Sequence, residues 1–191
     1  MNTDSLLNFF AEAGALKNVR RSGWWLLGIK DGESVAEHSF RTALIGFVLA
    51  KLEGVELLPT VMMCLTNDLH ESRINDLHKV GHRYIDFKSA ERAAAKEQRE
   101  LLPEDLASDF ETWEKNLQEQ NSPEAVVARD ADLLECMLQG KEYVDRGYKK
   151  ADEWMLRPYA LLKTESAKKL GRALRDWDSQ TWWQHLKKLE R

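Results

Sequence analysis

Helix punctuation without strand punctuation constrains this chain most. Its 191 residues carry four prolines, few β-branched runs and no Asn-Gly pair to close a hairpin. Helix starts and stops recur instead. A first helix is expected over roughly Asp4 to Leu16, and the polar, glycine-containing stretch Lys17 to Glu33 reads as a loop. Ser34-Val-Ala-Glu37 is a capping-box pattern opening a second helix that ends near Gly54, with Val35, Leu44, Phe47 and Val48 as its apolar positions. Pro59 suits the first turn of a third helix running to about His70. Short helices over Glu71 to Phe87 precede an alanine- and charge-rich helix from Ser89 to Leu101, which Pro103 breaks. Another helix is expected around Phe110 to Gln120. Ser122-Pro123-Glu124 then opens a long one reaching Tyr143 or beyond, and two more follow, after Thr164 and around Gln180 to Leu189. No repeat, low-complexity segment or linker divides the chain, so residues 1–191 are expected to form a single all-α domain.

Composition narrows the function. A net charge of −4 supplies no basic footprint for nucleic acid or anionic membrane. The longest apolar run, near Ala43 to Ala50, is far short of a membrane span. Two cysteines, Cys64 and Cys136, cannot build a disulfide framework and form no CxxC, which suits a reducing cytoplasm. The N-terminus lacks the basic-then-apolar order of a signal peptide.

Several polar residues stand where a helix would bury them. His38 lies four residues inside the second helix, and taken alone it reads more readily as a packed core histidine. Asp68 follows the apolar run Val61-Met-Met-Cys-Leu65, and Asp132 sits between Ala125-Val-Val-Ala128 and Leu133-Leu134. An aspartate in such places is costly unless paired or metal-bound. Three such residues on three helices can converge on a cation in a bundle core. His70-Glu71 begins like a zinc-protease motif, but Ile74 occupies the second histidine position. His78 and His82 share helical spacing, although a solvated surface is the simpler reading. The tryptophan pair Trp182-Trp183 suggests core or dimer packing.

The set Glu37-His38-Ser39, Asn67-Asp68 with Glu71 and Asp76, and Asp132 resembles the HD-domain metal-dependent phosphohydrolases. Within them it is most similar to the branch of 5'-deoxynucleotidases, and the resemblance runs from Arg21-Ser-Gly-Trp24 to Glu142-Tyr143. It implies an HD-domain helical bundle, commonly homodimeric, that hydrolyses (deoxy)nucleoside 5'-monophosphates. His38, Asn67, Asp68 and Asp132 would ligate a divalent cation such as Co, Mn, Zn, Ni, Fe or Mg. Glu71 would take part in proton transfer, with Asp68 beside it in the catalytic machinery. Arg21, Trp24, Asp76, Leu77, His78 and Lys79 would contact substrate. The family places its arginine directly before the tryptophan; here Gly23 stands there and Arg21 comes two residues earlier.

The second departure is Asn67, where the family has histidine. Both side chains are neutral, so the formal charge of the site is unchanged, but an amide oxygen suits magnesium, manganese or calcium better than zinc, cobalt, nickel or iron. The site is then expected either to use a harder metal, or to bind nucleotide without turnover, or to carry a substitution that traps an inactive form.

Overall fold

The computed structural model describes residues 2–184 and 186, and among them the regular structure is helical. Helix α1 (Thr3–Ala15) starts where the Asn2 side chain accepts from the Asp4 amide at 3.1 Å. Helix α2 (Val35–Glu53) starts on the expected capping box: the Ser34 hydroxyl accepts from the Glu37 amide at 3.2 Å, and Glu37 accepts from the Ser34 amide at 2.6 Å. Gly54 ends it in the left-handed region, at φ 72°. Helices α3 (Leu57–Thr66), α4 (Glu71–Ile74), α5 (Phe87–Arg99) and α6 (Glu104–Glu119) follow. Helix α7 (Pro123–Asp145) has proline in its first turn and the Ser122 hydroxyl as cap. Helices α8 (Glu153–Tyr159), α9 (Glu165–Ala173) and α10 (Thr181–Gln184) complete the described chain.

The centre is built from α2, α3 and α7, with α8 packed against α7 and α9 against both α7 and α2. Leu49, Met63, Leu134 and Met137 fill the principal core. A second cluster of Phe9, Leu16, Val19, Val35 and Leu69 ties α1 to the start of α2.

Four expectations need correction. The stretch from Lys17 to Glu33 is more than a loop: it holds a 3-10 helix over Ser22–Leu27 and pairs Arg20 with Ser34 in an isolated antiparallel bridge. Helix α3 stops at Thr66, and Asn67 to His70 form a hydrogen-bonded turn, with the Leu69 amide donating to Thr66 O at 3.1 Å. A 3-10 turn over Lys149–Asp152 and α8 were missed because both are short and Pro158 in α8 reads as a breaker. On α2, Val35 is buried as expected, but Leu44, Phe47 and Val48 are exposed; the buried face carries His38, Ser39, Thr42, Gly46, Leu49 and Ala50 instead. The expected last helix is present over Thr181–Gln184, with Trp182 and Trp183 exposed; its remaining positions fall mostly outside the described residues.

Candidate active site

The cap at Ser34 fixes the first turn of α2 and thereby turns His38 toward α7. The turn after α3 carries Asn67 and Asp68 and runs directly into α4, where the Glu71 amide donates to Asp68 O at 3.1 Å. Asp132 projects from the middle of α7. His38 Nε2 lies 3.1 Å from Asp132 Oδ1 and 3.5 Å from Asp68 Oδ2. Two donors each ~2.1 Å from one cation, at ~90–109° to each other, would stand roughly 3.0–3.4 Å apart. A histidine and two aspartates suit a divalent cation by their chemistry; His38 and Asp132 stand at that ligand spacing, with Asp68 slightly farther from the ring. Asn67 adjoins them, and its Nδ2 donates to Asp68 Oδ1 at 2.6 Å, leaving its carbonyl oxygen as the atom available to a metal.

Arg21 reaches the site because backbone pairing holds its strand-like segment against the start of α2. The Arg21 amide donates to Glu33 O at 3.0 Å and the Val35 amide to Val19 O at 2.8 Å. The guanidinium then donates to Asp68 Oδ2 at 3.4 Å. Position 23 explains why the arginine does not directly precede the tryptophan. A Cβ on Gly23 would come within 2.5 Å of the Trp154 ring, so this residue lies too close to its neighbour to bear a side chain.

The other substrate candidates divide. Asp76 accepts from the Ser22 amide and so ties the segment after α4 to the Arg21 segment. Trp24 is 1% exposed, packed against Tyr143 and Trp154, with its Nε1 donating to Glu33 Oε1 at 2.9 Å. It presents no free aromatic face. Leu77, His78 and Lys79 do not line the cavity beside Asp68 and Asp132; His78 stacks edge-on against Trp25, and Lys79 points to solvent.

The cavity of about 490 Å³ has Asn67, Asp68 and Asp132 in its wall together with Arg21. That volume is within the range of small-molecule sites. Lys88 and Arg129 add positive charge, and Trp113 on α6 supplies an aromatic wall that the sequence reading did not single out.

Burial and neighbouring charge set the protonation states. Burial raises the Glu71 pKa, and Asp68 and Asp76 raise it further against Arg21 and His38, to about 10. Glu71 Oε2 is buried without a hydrogen-bond partner. Burial and Arg21 pull the His38 imidazole down, but its bonds to Asp132 and Glu135 outweigh them and leave it at about 10. Asp132 is held well below the usual carboxylate range: burial opposes this, but His38 and Arg129 prevail. Burial pushes Glu33 up to about 7, with Glu135 adding to the effect.

A polar layer behind His38 escaped the sequence reading. Glu135, Gln139 and Glu142 continue from Asp132 along one face of α7, and Arg41 on α2 bonds to all three. The signal was present: polar residues at 132, 135, 139 and 142 recur at the helical spacing normally kept for core hydrophobes.

Residues 13–173 match the family model described as HD domain. The chain belongs to the HD domain family. Human 5'-deoxynucleotidase HDDC2 is 33% identical over 147 residues, covering 76% of this chain and 71% of the relative. A structural-genomics crystal structure, APC5600, matches with a TM-score of 0.76 at 36% identity, over 95% of this chain and 99% of the other. A predicted metal-dependent phosphohydrolase from Magnetospirillum magnetotacticum matches with a TM-score of 0.70 at 26% identity, over 91% of this chain and 90% of that one. The HD domain assignment accords with the all-α single domain.

Proposed function

We propose that this HD domain chain is a metal-dependent phosphohydrolase that removes phosphate from (deoxy)nucleoside 5'-monophosphates. The observation that carries the reading is the placement of Asp68 and Asp132, both beside His38, in the wall of a nucleotide-sized cavity that Arg21 also lines. The likeness to human 5'-deoxynucleotidase HDDC2 supports the substrate class. A divalent cation held by these residues would polarise the phosphoryl group and lower the pKa of a water molecule at the site. Arg21, already oriented by Asp68, offers two parallel donors to phosphate oxygens. Glu71, kept protonated by burial and by its acidic neighbours, holds a proton close to the metal ligands. As water attacks phosphorus and the bond to O5' breaks, that proton goes to O5'; a proton of the attacking water restores the carboxyl group.

Asn67 argues for a harder metal, Mn²⁺ or Mg²⁺, because its available donor is an amide oxygen. A second reading, nucleotide binding without turnover, draws on the same residue, whose amide nitrogen is engaged with the ligand Asp68. Phosphate release from dAMP and AMP, measured with Mn²⁺, Mg²⁺, Co²⁺ and Zn²⁺, separates the two. Turnover that is lost in Asp68→Asn and Asp132→Asn supports the hydrolase. Nucleotide binding with no release under any of the four metals supports the second reading. Asn67→His should shift preference toward Zn²⁺ and Co²⁺; an unchanged metal order would remove position 67 from the ligand set.

We also infer a homodimer in a reducing cytoplasm. Two free cysteines support the compartment. An exposed apolar stripe on α2, comprising Phe40, Leu44, Phe47, Val48 and Leu52, supports the dimer, since single exposed hydrophobes are ordinary but a continuous stripe marks a contact face. Light scattering on Phe47→Glu, expected to be monomeric where the parent is dimeric, tests it. Among the described residues no helix is long and apolar enough to cross a membrane.

A further inference from the structure

We propose that Glu135 and Arg41 are positioning residues for His38, fixing which ring nitrogen faces Asp132 and Asp68 and so setting how tightly the site holds a metal. The inference rests on the reading of His38 as a metal ligand. An imidazole presents two nitrogens, and only one can serve a given cation, so the hydrogen bond made by the other decides which it is. Nε2 faces Asp132 and Asp68. Nδ1 faces Glu135 Oε2 in a short hydrogen bond. With Nδ1 held as the donor, Nε2 is the nitrogen that would shed its proton and present a lone pair to a metal beside Asp132 and Asp68.

Glu135 is itself held. It is fully buried, and its Oε1 accepts from Arg41 Nε at 2.9 Å and Nη2 at 2.7 Å. Arg41 in turn donates to Gln139 Oε1 at 2.7 Å and Glu142 Oε1 at 2.6 Å, so the guanidinium is anchored at both ends. The register links these residues to the ligands. Arg41 lies one turn after His38 on α2, and Glu135 one turn after Asp132 on α7. Each ligand thus shares a rigid helical turn with the residue that orients the ring.

The same group of residues has a competing interpretation. Ligand atoms of Glu33, His38 and Glu135 lie within 4.8 Å of one another and could themselves hold a cation. The surrounding donors argue against it. Glu135 has both oxygens engaged, Glu33 Oε1 accepts from Trp24, and the guanidinium groups of Arg21 and Arg41 stand 3.9 and 4.0 Å from Glu33. Two fixed cations already supply the positive charge that a metal would bring, so these carboxylates serve the ring.

Calorimetric titration of the metal-free full chain with Mn²⁺ and with Co²⁺ tests the proposal in Glu135→Gln and Arg41→Lys. Glu135→Gln keeps the volume of the side chain but presents a neutral amide, and a 10- to 100-fold weaker Kd is expected. Arg41→Lys cannot span Glu135, Gln139 and Glu142, and a smaller loss in the same direction is expected. Activity of Glu135→Gln should recover as metal is raised, with kcat close to that of the parent. A merely structural role would lower the melting temperature in EDTA without moving the metal Kd. Parent-like Kd values in both variants would overturn the inference alone. A parent chain that binds neither cation would overturn the metal-site reading and this inference with it. If Glu135→Gln does not fold, Glu135→Asp and Arg41→Lys carry the measurement.

Discussion

Replacing Glu71 by glutamine should make the metal-free protein more stable while destroying its turnover. Glu71 is 6% exposed, and its pKa is raised from 4.5 to about 10, first by burial and then by Asp68 and Asp76. For an acid raised in the folded state the sign is unfavourable. Below pH 4.5 the group is protonated in both states and contributes nothing. Above that, the unfolded chain ionises while the folded chain does not, and stability falls as pH rises until the folded pKa is reached. Each pH unit above 4.5 costs about 1.4 kcal/mol, so the penalty reaches ~3 kcal/mol at pH 7. Glutamine has nearly the same shape and cannot ionise. Denaturant unfolding in EDTA should therefore show Glu71→Gln more stable than the parent by up to ~3 kcal/mol at pH 7, with the difference shrinking by pH 5. In the presence of Mn²⁺ the same variant should lose a factor of 10² to 10⁴ in kcat, the usual scale of a proton-transfer group. Equal stabilities at both pH values would show that Glu71 is not held protonated by its surroundings. An unchanged kcat would remove it from the chemistry.

Other perturbations separate scaffold from site. Asp130 is buried and accepts from the Lys163 amide, the Thr164 amide and the Thr164 hydroxyl at 2.7 to 3.1 Å. Asp130→Ala leaves those donors unpaired and should cost ~3 kcal/mol in unfolding free energy, with kcat per folded molecule retained. Gly23→Ala sets a methyl against the Trp154 ring and should cost ~1–3 kcal/mol by thermal unfolding, with KM raised if the shift displaces Arg21. Excess Mn²⁺ at about 100 times its Kd should stabilise the metal-free protein by ~2.7 kcal/mol, and Asp132→Asn should abolish that gain.

The helices were legible where the chain declares their ends. Ser34 with Glu37 and Ser122 with Pro123 start α2 and α7 as the spacing requires, because capping is local chemistry. The face of α2 was misread for an informative reason. Hydrophobic periodicity selects Leu44, Phe47 and Val48, but the interior side of this helix builds a polar site from His38, Arg41 and Thr42, so the apolar residues are displaced outward. Local rules fail where function competes with packing. Trp24 is the converse case: an aromatic close to Arg21 suggested substrate contact, whereas its ring fills the core between Tyr143 and Trp154 and only its Nε1 remains in the polar network. Glu135 and Arg41 were missed because their partner, His38, is 97 residues away from one and three from the other, and only the fold brings all three together.

The protonation of His38 yields a further test of the metal reading that is independent of turnover. The imidazole is 1% exposed; burial and Arg21 work against its charge, but hydrogen bonds to Asp132 and Glu135 raise its pKa to about 10. The sign is opposite to that of Glu71. A histidine raised in the folded state adds stability below its unfolded value of 6.5, and that contribution disappears as pH rises through 10. At pH 7 the metal-free protein therefore holds His38 as a cation between two carboxylates. A metal ligand must offer a lone pair, so binding at Nε2 requires that proton to leave. Titrating Mn²⁺ at pH 7 in buffers of different ionisation enthalpy should reveal the release of about one proton per metal bound, with additional release if Glu71 ionises as the cation offsets its acidic neighbours. His38→Gln should remove the release attributed to the ring. Metal binding with no proton exchange at pH 7 would mean that the imidazole is already neutral, and the picture of a carboxylate-trapped imidazolium awaiting replacement by a metal would fail.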